Sequence, residues 1–290
     1  SKNNGMDVSR WREDPVLDNY GMFFYIRNVT ADQCWSAAYA PFNLLPEKYE
    51  VVFTPDKASF RRMDGDVETS LEIAAASDDN AEIRKLTLKN NGSSTCFLEL
   101  TSYFEVVLTS GNSDLAHPAF SNLFIRTEYD PAHRALIANR RPRGQDDKEV
   151  WIAEVPVISG ELAEDVQFET DRMKFIGRDR TVNNPLVIEG DKPLSDTTGA
   201  VLDPVFSLRI KVRVEPDDAA QISFVTFTAG SREALMELME KYGSMEACDA
   251  AFWLALTRSQ VETQYLNIKA SEMELYQDMI SNILFVGSQR

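Results

Sequence analysis

Histidine is nearly missing from this chain: 290 residues hold only His117 and His133. A serine–histidine–acid triad would have to recruit one of them, and no G-x-S-x-G elbow accompanies either. Cysteine is equally sparse. Cys34, Cys96 and Cys248 are odd in number and far apart, which argues against a disulfide framework and for free buried thiols in a reducing, cytoplasmic setting. C-x-x-C, H-E-x-x-H, the calcium-loop pattern and phosphate-binding glycine loops are all missing. No metal ligand, no cofactor and no catalytic residue is therefore nominated. The longest apolar run, Ala250–Leu256, falls far short of the ~20 residues that span a bilayer, and no charged-then-apolar leader follows Ser1. Without a leader, Asn28-Val29-Thr30 and Asn91-Gly92-Ser93 read as turns rather than glycosylation acceptors. Basic residues are in deficit, 30 against 46 acidic ones, for a net charge of −16. That argues against a phosphate-backbone partner, since nucleic-acid binding rests on neutralising phosphates, and against anionic membranes. Neutral ligands such as sugars fit this charge, as do many others.

What the chain does have is alternation. Val67, Thr69, Leu71, Ile73 and Ala75 share one strand face, and Leu98, Leu100, Ser102, Phe104, Val106 and Leu108 share a longer one. Asn90-Asn91-Gly92 predicts a hairpin between Ile83–Lys89 and Cys96–Thr109. In Val205–Val214 the apolar residues Leu208, Ile210, Val212 and Val214 oppose Arg209, Lys211 and Arg213, and Glu215–Asp218 turns the chain into Gln221–Thr228. Residues 138–148 and 183–198 read as exposed loops. So many long strands with hardly a helix between them predict a mainly β fold: two large stacked antiparallel sheets over residues 1–230. After Gly230 the period becomes helical. Ser231 caps a helix striped by Leu235, Leu238, Met239 and Tyr242. Ser244 caps a second helix carrying Cys248, Phe252 and Ala255. Ser271 and Glu274 form a capping box before a third, striped by Leu275, Met279 and Ile283. Residues 231–290 are thus expected to be a helical linker, and the last stripe has little left in the chain to pack on. The expectation is a segment of a longer polypeptide whose chemistry lies elsewhere.

Candidate ligand contacts are few. His117, in Leu115–Phe120, reads either as a loop histidine bonded to backbone or as a ligand contact; His133 reads as a turn residue. Arg140, Arg141 and Arg143 read as a solvated loop cluster. Phe168–Arg180 packs charges of both signs around Phe175, Ile176 and Gly177, either as a surface ion-pair network or as a set orienting polar ligand groups or docking another domain. Among the aromatics crowding the first forty residues, most at strand spacing are core. Trp11, beside Arg10, Arg12, Glu13 and Asp14, is the main exception, and sugar rings stack on such faces.

Three blocks near the start, Asp7–Asp14, Gly21–Arg27 and Trp35–Tyr39, resemble the non-catalytic β region of cyclic β-1,2-glucan synthases. So do Leu100–Leu108, Ala116–Phe124, Glu169–Arg178 and Gly199–Pro204. More loosely, the pattern is similar to glycoside phosphorylases of the cellobiose and chitobiose type, once classed as glycosyltransferase family 36. The resemblance implies a galactose-mutarotase-like β-supersandwich followed by linker helices and then an (α/α)6 catalytic barrel, here missing. It implies a parent glycosyltransferase or phosphorylase, with an inner-membrane anchor of that parent left open. For this segment it implies a non-catalytic role: binding a β-glucan or other oligosaccharide, packing on the barrel, and a homodimer contact. The carbohydrate-contact candidates are Trp11, Arg12, Trp35, Tyr39, His117, Glu169, Asp171, Arg172 and Arg178. A stand-alone mutarotase-like epimerase using His117 with Glu105 or Glu128, and a purely structural spacer, are the alternatives.

Overall fold

The structure is a computed structural model that describes residues 1–284 except 13, 15, 143, 145–148 and 191. The chain begins with β1 (Lys2–Asn3), β2 (Met6–Ser9), β3 (Phe23–Asn28), β4 (Gln33–Ser36), β5 (Lys48–Phe53), β6 (Ala58–Asp64), β7 (Val67–Ala75), β8 (Ala81–Asn90) and β9 (Cys96–Thr109). Two short helices, α1 (Gly111–Ala116) and α2 (Pro118–Asn122), precede β10 (Ile125–Asp130), β11 (Ala135–Arg140), β12 (Val150–Ser159), β13 (Glu161–Leu162) and β14 (Gln167–Asp171). Then come α3 (Arg172–Ile176), a 3-10 turn at Leu186–Ile188, β15 (Pro204–Val214), β16 (Ala219–Ala229), α4 (Arg232–Lys241), α5 (Met245–Tyr265) and α6 (Ala270–Leu284).

Two antiparallel sheets of eight strands form among the described residues. The first centres on β9 and β15, with β3, β2, β14 and β13 beside them. The second runs β10-β11-β12-β16-β8-β7-β6-β5. Alternation decides which side chains meet between them. The even-numbered residues of β9 and β15 interlock with Leu86, Leu88, Ile152, Ile222 and Phe224 of the second sheet. Each such large apolar side chain, fully buried, stabilises the fold by about 1.5–3 kcal/mol. The two-sheet sandwich expected from the strand pattern is what the chain forms.

The expected hairpin after β8 is not formed. β8 pairs with β7 and β16, whereas β9 pairs with β15, β3 and β2. The Asn90–Gly92 turn therefore carries the chain from one sheet to the other. Period-two alternation gives a strand its buried face but not its partner, so both outcomes suit the same sequence. Asn90 secures the crossing: its amide donates to the carbonyls of Ser94 (2.8 Å) and Val214 (3.1 Å), and its backbone bonds to Asp217 and Asp218 in the β15–β16 crossing.

Each sheet's outer face has its own cover. Behind the second sheet, Leu235 and Met239 of α4, Tyr242 just after it, and Cys248 and Ala251 of α5 pack on Ile83, Ile137, Val155 and Phe227. The first two tail helices are therefore seated on the β body, while Leu275, Met279 and Ile283 of α6 stay exposed. Behind the first sheet, Phe175, Ile176, Val187 and Leu194 cover Tyr25 and Tyr103. Neither predicted loop is purely exposed. Residues 138–140 belong to β11 with Ala138 and Arg140 buried, and 183–198 contributes Val187, Ile188 and Leu194 to that cover. Arg140 is held by the carbonyl of Ser121 (3.0 Å) and lies over the Phe124 ring, and Arg143 lies outside the described residues. No described helix is long and apolar enough to cross a membrane.

Candidate functional site

Glu105 sits on the outward face of β9, beneath the end of β2 and the start of α3, and is buried. The backbone N–H of Arg10 donates to the Glu105 carbonyl (3.0 Å), so β2 delivers the Arg10 guanidinium directly above that carboxylate. Arg10 Nη1 bonds Glu105 Oε2; Arg172 Nε donates to Oε1 (2.7 Å), as does the Tyr103 hydroxyl (3.1 Å). One carboxylate thus ties segment 7–14 to segment 169–178.

Asp114 of α1 forms the second node and is fully buried. It accepts a two-pronged contact from Arg10 (Nε 3.0 Å, Nη2 2.9 Å) and a further bond from Arg12 Nη2. Asn122 of α2 extends the cluster: its oxygen accepts from Arg10 (3.3 Å) and its amide donates to Asp203 (2.9 Å). Arg10, Arg12 and Arg172 are matched in number by Glu105, Asp114 and Asp203, so the network is neutral as a whole. Burial alone would raise the Asp114 carboxyl, but the hydrogen bonds from Arg10 and Arg12 outweigh it and hold the pKa below the ordinary aspartate value. Burial would lower the Arg10 pKa, but Asp114 and Glu105 outweigh it and hold the guanidinium charged. Paired and hydrogen-bonded, these ions avoid the penalty of isolated buried charge.

The sequence candidates divide around this cluster. Arg12 and Arg172 belong to it, Arg12 lying over the Tyr20 ring at 5.8 Å and Arg172 keeping 36% of its side chain exposed. Half-buried Trp11 stands between the two networked arginines. His117 is exposed where α1 meets α2, the helices that carry Asp114 and Asn122. Neither carboxylate considered as its partner reaches it: Glu105 is engaged as described, and Glu128 pairs with Arg232 at 3.0 Å. Trp35, expected as a sugar contact, is corrected: it is 2% exposed, lies in the inter-sheet core, and donates its indole N–H to Thr69 (3.0 Å). Glu169 is likewise corrected. It is 1% exposed and accepts the N–H groups of Thr170 and Asp171 (2.9 Å each) and the Ser195 hydroxyl, so it shapes the strand end rather than reaching outward. Asp171 caps α3 through the Met173 N–H (2.9 Å). Arg178 is exposed beyond α3, and Tyr39 is 43% exposed in a separate loop beside Tyr49. Glu13 lies outside the described residues. Sequence reasoning missed Asp114, Asn122 and Asp203, because ion pairs between distant segments leave no periodic trace. His133, read as a turn residue, clamps that turn to α4: its ring bonds Asp130 (2.6 Å) and Glu240 (3.1 Å).

A family model for the glycosyl hydrolase 94 supersandwich domain matches residues 1–245. The chain belongs to this family. The supersandwich domain is also 34% identical over 274 residues to the cyclic beta-(1,2)-glucan synthase NdvB of Rhizobium meliloti (strain 1021), covering 94% of this chain and 10% of that protein. The chain thus spans about a tenth of the length of that relative. Solved structures give fainter likenesses. A putative kojibiose phosphorylase from human microbiome aligns with a TM-score of 0.40 and 7% identity, over 86% of this chain and 26% of that one. A bacterial glucoamylase complexed with acarbose gives 0.43 and 12%, over 82% and 31%.

Proposed function

We propose that this supersandwich domain is the non-catalytic carbohydrate-binding and interaction domain of a cyclic-glucan-synthase-like polypeptide, with a β body over residues 1–230 and helices from 231 leading toward a helical catalytic domain. The observation that carries the reading is Glu105. By gripping Arg10 and Arg172 together it gathers Trp11, Arg12, Tyr20 and the half-exposed Arg172 at one end of the first sheet. An aromatic face beside fixed guanidinium donors suits a hydroxyl-rich ring. The carboxylates beneath are already engaged by arginines, so their part is to hold the surface rather than to move protons. The interaction half of the reading is supported by α5. Its inner side is seated on the second sheet, yet Leu254, Val261 and Tyr265 on its outer side are exposed. A helix apolar on both sides is normally covered on both.

Calorimetric titration with β-1,2-glucan oligosaccharides, run beside a mutarotation assay, tests it. Binding in the millimolar to micromolar range without turnover is expected, weakened by Arg172→Ala and Trp11→Ala. No heat at millimolar ligand would remove the carbohydrate half of the reading; turnover by the chain alone would remove the non-catalytic half.

A further inference from the structure

On the second sheet rather than the first, α5 closes another concavity against the edge half of the strands. Glu72 on β7, Lys85 on β8 and Lys57 before β6 form one side; Asp249, Phe252 and Trp253 of α5 form the other, around a cavity of about 300 Å³. We propose that this pocket binds a single neutral sugar ring, stacked on Trp253 and hydrogen-bonded between the lysines and the carboxylates.

Charge decides the ligand class. Lys57 pairs with Glu72, and Lys85 lies 3.0 Å from Asp249 and 3.5 Å from Glu72. Asp56 also lines the pocket, so three carboxylates stand against two ammonium groups: an anionic ligand is repelled by the net charge, and a neutral one must both donate and accept hydrogen bonds. Ammonium groups only donate hydrogen bonds and carboxylates only accept them. Adjacent ring hydroxyls do both at once, and so match a wall in which the two kinds alternate. Glu72 and Lys85 each favour their charged form. Burial pushes the Glu72 carboxyl up, but Lys57 and Lys85 pull it below its ordinary value; Lys85, lowered by burial, is raised overall by Asp249 and Glu72. The apolar share of the site is Phe252, Trp253 and Leu256. The Lys85 ammonium stands 5.0 Å from the Phe252 ring centre, which keeps that ring inward. Trp253 is 69% exposed at the mouth, an expensive placement for an indole in water and a ready platform for the C–H face of a sugar. The volume lies at the small end of small-molecule sites, the size of one ring rather than a chain.

Saturation-transfer NMR of the whole chain with glucose, to roughly 100 mM ligand, reads weak single-ring binding directly. Transfer to the ring protons is expected, abolished by Trp253→Ala and at least about tenfold weaker in Asp249→Asn, a truncation-free change at an exposed carboxylate. Both variants are expected to keep the wild-type melting curve, since neither side chain belongs to the core. Glucuronate is expected to show weaker transfer than glucose. No transfer, transfer that survives Trp253→Ala, or equal transfer to glucuronate overturns the proposal. Transfer abolished by Trp11→Ala but not by Trp253→Ala also overturns it, while supporting the Glu105 end as the sugar site.

Discussion

Glu154 is a carboxyl group placed among apolar neighbours between the two sheets. One oxygen accepts the Ser102 hydroxyl at 3.1 Å; the other has no hydrogen-bond partner among the described residues. Burial pushes its pKa up to about 8 from 4.5. An acid with a raised folded-state pKa contributes stability that is fully present below pH 4.5 and is lost as pH rises through 8. Thermal melts should therefore show a falling midpoint between those values, and Glu154→Gln should flatten the fall, gaining roughly 2 kcal/mol at alkaline pH. An unchanged slope in the variant would contradict this account. Asp114 behaves oppositely. Its depressed pKa contributes stability present above the ordinary aspartate value of 3.8 and lost as pH falls through the lowered one. Asp114→Ala leaves Arg10 buried without its main partner and should cost about 3–5 kcal/mol, measured by urea unfolding. Such residues were the least legible part of the sequence. Nothing around Asp114 or Glu154 marks them as buried, because their partners Arg10 and Ser102 stand far off in the chain. Arg12 and Arg172 were singled out, but as separate surface features rather than as parts of one network.

Elements were read far better than single contacts. The strand faces of β9 and β15 follow directly from their alternation, and the serine caps of α4 and α5 are formed as expected, with Ser231 accepting from Ala234 and Ser244 from Ala247. Pairing partners were not legible: Asn90–Gly92 suits a tight hairpin and an inter-sheet crossing equally. The capping of α3 shows how little sequence a short helix needs. Asp171 starts the helix and Gly177 ends it at φ +87°, where an added Cβ would stand 2.9 Å from Leu186 Cβ. Gly177→Ala should cost about 1–3 kcal/mol by unfolding and displace the segment carrying Arg172, so sugar affinity at the Glu105 end should fall with it. Affinity unchanged in a destabilised Gly177→Ala protein would separate the helix from the site.

At the scale of the molecule, apolar surface is gathered on one flank. β5 is an edge strand exposed along its length, with Val51, Val52 and Phe53 uncovered, and α6 lies across its end through a bond from Gln277 to the Phe53 carbonyl (3.1 Å). Phe53, Met273, Tyr276, Met279 and Ile283 line a groove of about 880 Å³ there. Unpaired edge strands and apolar faces of this kind invite association. Sedimentation velocity on the chain alone should show concentration-dependent self-association, reduced by Val52→Lys and by Met279→Glu; monomers at all concentrations would count against it.

The strand order has a consequence for how the molecule is made. β16, the last strand in sequence, lies between β12 and β8, and so joins the two halves of the second sheet like a keystone. Its neighbours cannot close on each other while it is still inside the ribosome. An emerging chain therefore carries more than two hundred residues with this arch still in two halves until β16 is free to enter it.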